Sequence, residues 1–64
     1  MTMRELYGQK YVTAYEFSGP DLAPLMLEAA LVVRDHESKC ELVRLHHWFD
    51  LEDDNIILSV TVFK

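Results

Sequence analysis

A chain of 64 residues, half of them hydrophobic and 27% charged, is long enough for one globular domain and too apolar to be intrinsically disordered. Six basic residues (Arg4, Lys10, Arg34, Lys39, Arg44, Lys64) are scattered among eleven acidic ones for a net charge of −5, which argues against direct binding to nucleic-acid phosphates. The single cysteine, Cys40, excludes an internal disulfide; no apolar run has the length of a membrane span, and no signal-peptide core is visible, so the expected compartment is the cytoplasm.

Residues 1–8 have no clear period and read as a tail or as an extension of the first strand. That predicted strand spans 9–17, where Tyr11, Val12, Thr13, Tyr15 and Phe17 suit a half-buried pleated surface and Ser18-Gly19-Pro20 ends the run. A helix is predicted over 22–36: Asp21 stands at the N-cap, and Pro24 is tolerated in the first turn, where N–H groups have no intrahelical acceptor. Its sheet-facing stripe is Leu22, Leu25, Met26, Ala29 and Val33; Leu27, Ala30 and Leu31 fall outside that stripe.

The second strand, 40–52, alternates. Val43, Leu45, His47, Phe49 and Leu51 point one way, Leu42, Arg44, His46, Trp48 and Asp50 the other. The third, 56–63, is apolar at almost every position and pairs with the second as a hairpin. Because the larger apolar sets are odd-numbered on one strand and even-numbered on the other, paired numbers must sum to an odd value. The turn therefore holds an even number of residues, with Asp53-Asp54 or Asp54-Asn55 as candidates.

The order β-α-β-β predicts an α+β domain: a three-stranded antiparallel sheet, order 1-3-2, with the most apolar strand in the centre and one helix on one face. One helix leaves the other face open. That face carries Arg44, His46, Trp48 and Asp50 with Ile57, Ser59, Thr61 and Phe63, and the first strand adds either Tyr11, Tyr15 and Phe17 or Val12 and Ala14; the tyrosine set is preferred because the smaller residues leave room for the helix. A monomer rarely exposes so large an apolar patch, and a chain of this size buries only about 60% of its unfolded surface. The expected outcome is a homodimer or higher oligomer, with Leu27, Ala30 and Leu31 as a helical contact face.

Catalytic chemistry is not indicated. His46 and His47 point to opposite faces and do not serve one ion; His36 and Cys40, four apart, lack a second ligand pair, so no metal is expected. The expected role is binding without catalysis, with another protein as the leading partner. One alternative is a planar, flavin-like ligand held between subunits by Trp48, His46 and Arg44, with Tyr15. Another is an acidic mimic that blocks a nucleic-acid-binding protein. The element order, the size and the segment Trp48-Phe49-Asp50-Leu51 loosely resemble dodecins, small flavin-storing oligomers with a tryptophan on the second strand; the chain departs from them in its more apolar helix, short hairpin turn and N-terminal extension, and is not assigned to that family.

Overall fold

A computed structural model describes residues 2–8 and 12–64. They form β1 (Thr2–Gly8), β2 (Val12–Gly19), α1 (Leu22–Glu37), β3 (Leu42–Asp50) and β4 (Asn55–Phe63). The three strands expected from the sequence keep the order first-third-second, and all pairings are antiparallel. The full sheet is β1-β2-β4-β3.

The fourth strand is an addition to the expected three. Residues 2–8 lie antiparallel along β2, with an irregularity between Glu5 and Tyr7. A segment without a strong period of its own is recruited because the edge of β2 would otherwise present unpaired backbone groups.

The hairpin parity holds: Val43 pairs Val62, Leu45 pairs Val60, His47 pairs Leu58 and Phe49 pairs Ile56. The turn is longer than expected. It runs from Leu51 to Asp54 and closes on the Asp50–Asn55 pair, still an even-numbered connection. Asp50 Oδ1 accepts the Glu52 N–H at 3.0 Å, and Asp54 takes the left-handed conformation at φ 54°, which aspartate tolerates.

The assignment of the first strand's faces requires correction. Tyr15 pairs Val60 and Phe17 pairs Leu58, so both share the face of the even-numbered β4 residues, beneath the helix. Val12, Ala14, Glu16 and Ser18 belong to the open face instead. The reason is steric. Phe17 is fully buried beside Leu25, Ala29, Leu58, Val60 and Val62, where the small Ala29 leaves room for its ring. Tyr11 lies outside the described residues.

Leu25, Ala29 and His36 are the buried residues of α1, with Val32 and Val33 packed at the margin. This stripe is rotated from the expected one, leaving Met26 exposed. Asp21 has the extended N-cap backbone, φ −128° and ψ 140°, but its carboxylate makes no capping hydrogen bond.

At the other end, the Cys40 N–H bonds the Glu37 carbonyl at 3.0 Å and the Glu41 N–H bonds the His36 carbonyl at 3.1 Å. These are the paired bonds of a Schellman motif, and Cys40, at φ 62°, occupies its left-handed position, usually a glycine.

Candidate interaction surface

The helix contacts β4, β2 and β3, and on β3 it is Val43 that packs against the core. A helix about 10 Å across spans roughly two strands spaced about 4.8 Å apart, so the side chains of β3 beyond Val43 receive only partial cover. Both faces of β3 are consequently open: Leu42 is 71% exposed, Leu45 54%, Phe49 51% and Trp48 40%. Leu45 and Phe49, expected to face a core, do lie on the helix side, but Leu45 only lines a groove beside the helix and both stay half-exposed. Their exposure is not legible in the sequence, because alternation assigns a face and says nothing of how far the helix reaches.

β3 is also a sheet edge. Proteins usually blunt such edges with proline, lysine, bulges or short strands. The nine residues Leu42–Asp50 contain no proline, glycine or lysine and pair with β4 without interruption. β1, at the opposite edge, carries the register shift at Glu5/Tyr7.

Arg44, His46, Trp48 and Asp50 line the open face of β3, as their numbering requires, opposite Thr61, Ser59, Ile57 and Asn55. The His46 and Trp48 rings lie 5.4 Å apart, centroid to centroid, inclined by 31°. Phe63 stands at the far end of β4, exposed. With Tyr15 and Phe17 turned inward, and Glu16, Ser18, Ser59 and Thr61 across its middle, this face is more polar than expected. The exposed apolar surface is concentrated instead on β3 and the helix flank.

On the helix, Met26 and Ala30 line the side nearest β3. Met26, Leu27, Ala30 and Leu31 are exposed. Between helix and β3 runs a groove of about 400 Å³, lined by Leu22, Met26, Ala29, Ala30, Val33, Leu45, His47 and Leu58. Among the described residues that line it, His47 is the titratable one.

His36 and Cys40, the candidate metal pair, are separated by the helix end. Cys40 is exposed, whereas the His36 ring is buried between two partners: Nε2 lies 3.2 Å from the Tyr15 hydroxyl and Nδ1 3.4 Å from both Glu41 carboxylate oxygens. Nucleophile, base and orienting acid can be arranged in this way, but substrate has no access to a ring so nearly sealed. Its effect is to tie the helix end and the start of β3 to β2. The sequence does carry a signal for it, since His36 continues the buried Leu25-Ala29 stripe at helical spacing. Among the described residues, no group of three or more His, Cys, Asp or Glu is placed to hold a metal ion. No helix of the described residues is long and apolar enough to cross a membrane.

Comparison with family models, with curated proteins and with solved structures returned no match for the chain.

Proposed function

We propose that this protein is a small acidic binding module of the cytoplasm that acts by association rather than catalysis, and whose first partner is a second copy of itself. The observation that carries this is the double-sided exposure of β3, continuous with the apolar flank of α1. Water would be displaced from Leu42, Leu45, Trp48, Phe49 and Met26, each exposed large side chain contributing of the order of 1 kcal/mol or more on burial. Sedimentation velocity across micromolar concentrations tests it. A species of twice the chain mass is the expected result, and a monomer at all concentrations up to about 100 µM, where even weak pairing with a dissociation constant near 10 µM would be populated, overturns it.

A second reading rests on the open face, where Trp48 is partly exposed beside His46 and shares its row with Arg44. This combination suits a planar anionic ligand of the flavin kind. Native mass spectrometry with added flavin separates the two: a dimer without retained ligand favours the first, and stoichiometric ligand at each Trp48 favours the second.

A further inference from the structure

We infer that two copies join edge to edge through β3, antiparallel, about a two-fold axis at His47. The inference rests on the self-association proposed above and specifies its surface and register. The backbone leads to it first. An uninterrupted edge strand has N–H and C=O groups directed away from its sheet, and a second strand is the partner that satisfies them in series. A two-fold axis perpendicular to the sheet reverses the strand direction and keeps both helices on the same side, so odd residues meet odd and even meet even.

Side chains then select the register. With the axis at His47, Arg44 of each copy lies opposite Asp50 of the other, Leu45 opposite Phe49, and His46 opposite Trp48, pairing residues 44–50 throughout. Opposite charges meet twice and apolar residues meet apolar ones. Moving the axis to His46 sets Leu42 against Asp50 and Arg44 against Trp48. An axis at Leu45 sets Arg44 against His46 and leaves the guanidinium without a carboxylate opposite it. Only the His47 register matches charge with charge while keeping most of the strand paired.

The arrangement also accounts for the groove. Leu45 and His47 line it on the β3 side, so the two-fold axis brings the two grooves together along the seam, beneath Met26 and Ala30 of both helices. The joined sheet ends on β1 at both outer edges, where the register shift at Glu5/Tyr7 disfavours further addition, and the assembly closes as a dimer.

Cysteine cross-linking reads the register in the full chain, with Cys40→Ser removing the native thiol. His47→Cys stands opposite itself, about 5 Å Cα to Cα, within disulfide reach; Leu45→Cys is offset from its copy by about 13 Å along the strand and is not. Mild oxidation is expected to give a covalent dimer from His47→Cys and none from Leu45→Cys. Cross-linking of Leu45→Cys instead would overturn the register. A sedimenting dimer in which neither variant cross-links would overturn the His47 register while leaving self-association in another register or through another surface standing, and a monomer would remove both. Charge reversal gives an independent readout: Arg44→Asp or Asp50→Arg should each weaken the dimer about tenfold, and the two together should restore it to within about threefold. A double variant as weak as the single ones would overturn the Arg44–Asp50 pairing.

Discussion

His36 occupies a position at which a Schellman motif usually brings two apolar side chains together, one from the last turn of the helix and one just beyond it. Here the pair is His36 and Glu41, joined by a hydrogen bond, and the remaining ring nitrogen meets Tyr15 on β2. Burial makes this a matter of stability, because truncating His36 leaves two polar groups without their partner in a shielded site. His36→Ala is expected to cost about 2 kcal/mol and Tyr15→Phe about 1 kcal/mol in chemical denaturation. Lys39→Ala, which breaks the exposed pair with Asp35 at 3.3 Å, should cost no more than about 0.5 kcal/mol. Equal costs for His36→Ala and Lys39→Ala would mean that the buried network does not pin the helix. The four-residue spacing of His36 and Cys40 suggests a metal pair, but the position of His36 on the helical stripe is the better guide to its role.

The helix end is where element and residue type disagree. Cys40 holds a left-handed conformation that costs a residue with a Cβ roughly 1–2 kcal/mol. Glycine avoids that cost, at an entropic penalty of roughly 0.5–1 kcal/mol. Cys40→Gly is therefore expected to raise stability by up to about 1 kcal/mol, and Cys40→Val to lower it, in urea titrations. A drop in the glycine variant would show that the Cys40 side chain contributes more than its backbone costs. For the sheet, the odd-sum pairing of β3 with β4 is legible from the alternation of Val43, Leu45, His47 and Phe49 against Ile56, Leu58, Val60 and Val62. The faces of β2 are not. Tyr15 and Phe17 are as compatible with an open face as with a covered one, and the choice is made by packing of Phe17 against Leu25 and Ala29. β1 is equally hard to read, because strand addition at a free edge depends on backbone hydrogen bonds, which leave little trace in side-chain pattern.

For the whole molecule, a Cα radius of gyration of 11.7 Å exceeds the roughly 10.7 Å expected of a compact chain this long. The excess reflects a broad sheet with a helix on one side of its middle. If the folded state is a dimer, its stability is inseparable from chain concentration. The thermal midpoint is then expected to rise by about 5 °C for each tenfold increase in protein, as scanning calorimetry would register. A midpoint independent of concentration between about 5 and 500 µM would place all the stability within one copy.

Length and patterning alone determined that one copy has more apolar surface than it can bury, and that the strands following the helix form a hairpin of fixed parity. Both are properties of residue order and periodicity, which act locally. Where the uncovered surface lies was decided only by the tertiary structure, because it depends on how many strands one helix spans. The broad open face, expected to carry the tyrosines, proved largely polar, and the exposed apolar residues collected on β3 and on the uncovered side of the helix.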